Sequence, residues 1–89
     1  MAPYQTVVQG NSFSVNPNTG MFVVATAKEI NEGTLLEVFD QREQLIATAT
    51  VSRDMIEKKQ YSVKAGPLES GAYAIRIGGQ NFGRVAVNP

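Results

Sequence analysis

Tyr73-Ala74-Ile75-Arg76-Ile77, then Gly78-Gly79-Gln80-Asn81, then Gly83-Arg84-Val85-Ala86-Val87 is the stretch that decides the fold. Tyr73, Ile75 and Ile77 recur at every second position with Arg76 on the opposite side, which is the period of a strand with one face in a core. Val85 and Val87 resume that period beyond a turn whose glycines and asparagine supply positive φ angles. The stretch reads as a β-hairpin, and a hairpin needs further strands to bury its apolar row.

Those strands are present upstream. Alternation returns at roughly eight- to twelve-residue intervals with turn residues between, the pattern of a sandwich or barrel rather than of βαβ units. The spacing predicts strands over 4–9, 12–15, 21–27, 34–40, 44–52, 60–64, 72–78 and 83–88. Gly10-Asn11, Asn16-Pro17-Asn18-Thr19-Gly20, Asn31-Glu32-Gly33, Gly66-Pro67 and Gly78-Gly79-Gln80-Asn81 separate them, each rich in the residues that favour turns. Within 44–52, Leu45, Ala47, Ala49 and Val51 form an inward row, while Ile46, Thr48 and Thr50 lie on the wetter face. Residues 53–59, Arg-Asp-Met-Ile-Glu-Lys-Lys, follow neither period and are read as a connection with one helical turn. The expected fold is all-β: a small antiparallel β-sandwich of seven to eight strands, immunoglobulin-like, with 1–14 as an N-terminal arm or extra strands.

At 89 residues the chain is a single domain, because two half-sized cores would not offset the chain entropy. Cysteine is absent, so no disulfide or thiolate metal site braces the fold. Eight lysines and arginines balance eight aspartates and glutamates, which argues against nucleic acid or an anionic membrane as the main partner. Met1-Ala2-Pro3-Tyr4 has neither the basic nor the apolar region of a signal peptide. No apolar run approaches the roughly 18 residues of a membrane span, so we expect a soluble chain without membrane insertion.

Histidine and cysteine are both missing, which removes Ser-His-Asp and Cys-His catalysis and imidazole metal sites. Carboxylates remain: Glu37, Asp40 and Glu43, or Asp54 with Glu57. No aspartate-rich loop with calcium-site spacing exists, so these are read as solvated strand-edge and turn groups. The glycines from Gly78 to Gly83 precede a strand rather than the helix that a phosphate loop requires. There are three tyrosines, four phenylalanines and no tryptophan. Most of Phe13, Phe22, Phe39, Tyr61, Tyr73 and Phe82 are assigned to the core. We therefore expect no enzyme activity, no cofactor and no metal.

Val15-Asn16-Pro17-Asn18-Thr19-Gly20-Met21-Phe22-Val23-Val24 resembles the opening of the C-terminal sorting domains of type IX secretion in Bacteroidota, roughly Val-Tyr-Pro-Asn-Pro, small residues, Gly and an apolar strand. Leu36-Glu37-Val38-Phe39-Asp40 is similar to that family's apolar-x-Val-Tyr-Asp strand. Leu68-Glu69-Ser70-Gly71-Ala72-Tyr73 is similar to its Leu-x-x-Gly-x-Tyr block, and Gly83-Arg84-Val85-Ala86-Val87-Asn88 to its final basic-apolar strand. The likeness covers about 15–88, with Asn16 and Thr19 where the family has Tyr and a second Pro, and Gln41-Arg42-Glu43 where it has a glycine turn. It implies an exported domain, found at the cell surface or outside the cell, that is recognised by outer-membrane secretion machinery. By the same likeness, Pro17, Asn18 and Gly20 form the family's turn, Gly71 and Tyr73 start the recognition hairpin, and Arg84, Val85 and Val87 carry its last strand. An edge strand with a basic side chain suits protein recognition.

The other reading is a structural or adhesive module. It would self-associate through edge strands, for example by the β-prone arm at residues 4–9, or bind carbohydrate.

Overall fold

The structure, a computed structural model, describes residues 4–8 and 10–88. Eight strands and one short helix follow in the order β1 (Tyr4–Val8), β2 (Asn11–Asn16), β3 (Met21–Ala25), β4 (Leu35–Phe39), β5 (Leu45–Thr50), α1 (Arg53–Lys58), β6 (Gln60–Lys64), β7 (Gly71–Ile77) and β8 (Gln80–Val87). Every expected strand is present; Gln9, the last residue of the first expected strand, lies outside the described residues. Two four-stranded sheets, β1-β2-β3-β6 and β5-β4-β7-β8, form a sandwich. All their pairings are antiparallel. If β2 to β8 are lettered A, B, C, C′, E, F and G, the order is A-B-E against C′-C-F-G, the Greek-key order of immunoglobulin-like sandwiches. β1 is added outside A. The N-terminal segment is thus an extra strand that pairs with β2 of its own chain.

Alternation decides what each strand buries. Phe13 and Val15, Phe22 and Val24, and Tyr61 and Val63 line the inner face of the first sheet; Leu36 and Val38, Tyr73, Ile75 and Ile77, and Phe82, Val85 and Val87 line that of the second. Each such side chain contributes about 1.5–3 kcal/mol on burial. Phe22 and Tyr73 meet across the layer, their rings 6.0 Å apart and tilted by 59°, an attractive edge-to-face geometry. Asn11 occupies the inward row of β2 and is buried. Its Nδ2 donates to the Phe82 carbonyl oxygen at 3.4 Å, which ties the two sheets together.

Two expectations about faces are corrected. Phe39 is only half-buried on the outer face, because Leu36 and Val38 take the inward positions of β4; the Arg76 guanidinium covers its ring at 4.4 Å. Leu45 is 50% exposed because a bulge interrupts the β4–β5 ladder. Val38 pairs with Ala47 but Phe39 with Leu45, so Ile46 is extra and Leu45 moves to the face that Phe39 occupies. Ala47, Ala49 and Val51 keep the inward row.

The hairpin turn is tighter than expected. Ile77 pairs with Gln80, leaving only Gly78 and Gly79 in the turn, both at positive φ (61° and 79°), as a two-residue hairpin demands. A second bulge pairs Ile75 with Gly83 and Arg76 with Asn81. Phe82 is the extra residue, and it points inward with 1% exposure.

The expected helical turn is α1. Ser52 caps it, its hydroxyl accepting from the Met55 N–H at 3.3 Å, and Lys59 ends it in the left-handed region (φ 54°), a common helix stop.

Candidate recognition site

The residues singled out by sequence gather at one end of the sandwich. The β2–β3 turn, the β4–β5 turn, the loop into β7 and the end of β8 all lie there.

The β2–β3 turn is built by local polar contacts. Asn16 Oδ1 accepts the Asn18 N–H at 3.0 Å, Thr19 Oγ1 accepts the Met21 N–H at 3.3 Å, and the Asn16 carbonyl accepts the Gly20 N–H at 2.7 Å. Such side-chain acceptors are why asparagine and threonine favour turns. Pro17 is fully buried, and its carbonyl accepts the Leu68 N–H at 2.9 Å, while that of Gly20 accepts the Ala65 N–H at 2.8 Å. Gly20 has φ 72°, and a Cβ there would lie 1.7 Å from the Gly66 carbonyl oxygen. Only glycine fits that approach. Pro17 and Gly20 therefore anchor the turn to the loop after β6, and Asn18 is left exposed.

The loop into β7 is a tyrosine corner. Tyr73 donates its hydroxyl to the Glu69 carbonyl four residues upstream at 2.7 Å, the arrangement that closes this connection in immunoglobulin-like domains. Leu68 is buried beneath it. Burial pushes the Tyr73 phenol above its ordinary pKa of 10.0, the bond to Glu69 opposes this, and the nearby charges of Glu69 and Asp40 add to the rise. The Leu-x-x-Gly-x-Tyr spacing is the signal from which this corner can be read.

The hairpin places Gly71 opposite Val87, Tyr73 opposite Val85 and Ala74 opposite Arg84. Tyr73, Val85 and Val87 are buried core residues. Gly71 is half-buried, with the Gln41 side chain 3.2 Å from where a Cβ would project. Arg84 alone of this set is exposed, and it makes no ion pair among the described residues. Its face of the sheet also carries Arg76, stacked on Phe39 and paired in register with Glu37. The arrangement offers a cation beside an edge strand, on a surface of small side chains that includes Ala86 and Ala72.

The carboxylates have other tasks. Asp40 Oδ1 accepts the N–H groups of Arg42 and Gln44, each at 2.9 Å, and so shapes the β4–β5 turn. Asp54 pairs with Lys58 along α1 at 3.2 Å. Among the described residues no group of three or more acidic side chains is placed to hold a metal ion. No helix among them is long and apolar enough to cross a membrane. From sequence, Asn11 and Gly66 read as turn residues and Leu68 as part of the Leu-x-x-Gly-x-Tyr block, but their roles are not legible, since these depend on partners far along the chain. No protein-family model, curated protein or solved structure matches this chain.

Proposed function

We propose that the domain is a non-catalytic sorting module, recognised after export by type IX outer-membrane machinery through the outer face and edge of β8. The observation that carries this reading is the exposure of Arg84 on an edge strand whose other side chains alternate into the core. A partner can bind the backbone edge and the cation without disturbing the sandwich. The order of blocks from Val15 to Asn88 supports the sorting assignment. Chemistry is not needed for it, since recognition of this kind rests on shape, main-chain pairing and one or two charges.

The test fuses residues 15–89 to a periplasmic reporter in a host with type IX secretion. The reporter is expected at the cell surface, with export reduced by Arg84→Ala while the fold is unchanged by circular dichroism. A folded domain whose reporter stays in the periplasm overturns the assignment. Export that is indifferent to Arg84→Ala moves the recognition surface away from β8.

A further inference from the structure

We propose that two copies of the chain pair edge to edge through β5, joining their β5-β4-β7-β8 sheets into one continuous sheet across a twofold axis at Thr48. This does not rest on the sorting reading.

β5 is a terminal strand of its sheet. The Val51 N–H bonds the Thr34 carbonyl at 2.9 Å and the Gly33 N–H bonds the Val51 carbonyl at 2.8 Å, so the polar groups of Val51 face β4. Antiparallel ladders alternate, which aims those of Thr48 and Thr50 away from the sheet. The strand reads Leu-Ile-Ala-Thr-Ala-Thr, with no charge, proline or glycine. Apart from the bulge at Ile46, it therefore lacks the devices that keep edge strands apart. The edges at β6 and β8 differ, since Lys64 lies in the one and Arg84 in the other. Of the described residues, the exposed large apolar side chains are Val7, Leu35, Leu45 and Ile46, at 70, 45, 50 and 36%. Val7 lies on β1, an edge that likewise carries no charge, and the other three cluster on β4 and β5.

The sequence around β5 selects a second copy as the occupant. Centring the twofold axis on Thr48 sets Ile46 opposite Thr50 and Ala47 opposite Ala49 of the other copy. Continued past the strand, the same register sets Glu43 and Arg42 of the β4–β5 turn towards Arg53 and Asp54 at the start of α1, opposite charges in both cases. Within the chain Arg53 also pairs with Glu32 at 3.7 Å and Asp54 with Lys58 at 3.2 Å. Sliding the pairing to centre on Ala47 would instead turn Asp40 towards Asp54. The uncharged centre and the complementary ends favour one antiparallel register.

Sedimentation equilibrium of the full chain over a wide concentration range tests the pairing. The chain is expected to form a dimer, weakened at least about tenfold by Thr48→Pro, which removes an outward N–H that an edge strand can spare, and by Thr48→Lys, which adds a charge at the axis. Both variants should retain the β-sheet circular dichroism spectrum. A chain monomeric at every concentration overturns the proposal, as does a dimer that survives in whichever Thr48 variant folds. A dimer abolished by deleting residues 1–10 but untouched by Thr48→Lys assigns the interface to β1 and overturns it equally.

Discussion

The β7–β8 and β4–β5 hairpins belong to one sheet, and each contains a bulge beside a turn that needs left-handed backbone, yet the two use these devices oppositely. In β7–β8 the extra residue, Phe82, enters the core, and glycines occupy the turn. In β4–β5 the extra residue is Ile46, Leu45 is turned outward, and Glu43 takes the left-handed position with φ 61°. The difference lies in what faces each hairpin. β8 lies across from β1 and β2, where the Phe82 carbonyl meets Asn11; β5 lies beside β6 at the opposite border. A bulge thus re-aims a side chain, but the facing layer decides whether that residue becomes core or surface.

Truncating the residues at the two bulges separates these cases most strongly. Phe82→Ala is expected to cost about 3–5 kcal/mol of unfolding free energy, from lost burial and the cavity left behind, as measured by urea denaturation. In the tyrosine corner beside the same hairpin, Tyr73→Phe is expected to cost about 1 kcal/mol through loss of the hydroxyl bond to Glu69. That difference depends on pH. The folded phenol keeps its proton to higher pH than an unfolded tyrosine, so above about pH 10 the unfolded chain binds fewer protons and stability falls. Denaturation in mildly and strongly alkaline buffer should show the gap between wild type and Tyr73→Phe closing as pH rises.

The β4–β5 hairpin should respond in the other direction. Glu43→Gly relieves a left-handed conformation and is expected to raise stability by about 0.5–1 kcal/mol, read as an increase in the urea midpoint. A loss of stability there would mean that the Glu43 side chain contributes more than its backbone strain costs. Leu45→Ala, on the exposed side of the bulge, is expected to change stability by less than about 0.5 kcal/mol. An effect as large as that of Phe82→Ala would erase the contrast between the hairpins.

The period of two made the architecture legible: eight strands, the inward rows of β7 and β8 and a glycine turn at Gly78 follow from local alternation and turn chemistry, although that turn holds two residues rather than the four from Gly78 to Asn81. The bulges were not legible. A one-residue register shift leaves composition and neighbouring residues unchanged, so Leu45 reads as inward. Phe39 reads as core only because it is aromatic, although the alternation of Leu36 and Val38 already puts it on the outer face. At the candidate site, sequence singled out Tyr73, Val85, Val87, Pro17 and Gly20, but the same apolar or turn-forming character suits a core position and a contact surface alike. The period of two already sets Arg84 on the face opposite Val85 and Val87, and the structure shows it exposed. Leu68 reads only as part of the Leu-x-x-Gly-x-Tyr block, and Gly66 and Asn11 only as turn residues; their structural roles were not legible, because each is defined by a partner from a distant strand or turn.

The fit of Gly20 against Gly66 has a consequence for the order in which the molecule assembles. The β2–β3 turn can form early from its own asparagine and threonine contacts, but its outward carbonyls stay with water until the far half of the chain arrives. Closing that end must then bring in the bonds to Ala65 and Leu68 together with the close backbone approach, none of which is gained without the others. Closing a loop of such long sequence separation costs chain entropy before its contacts are gained. The glycine pair thus acts as a latch whose failure would register as faster opening of the finished sandwich, while its strands would begin to pair as quickly as before.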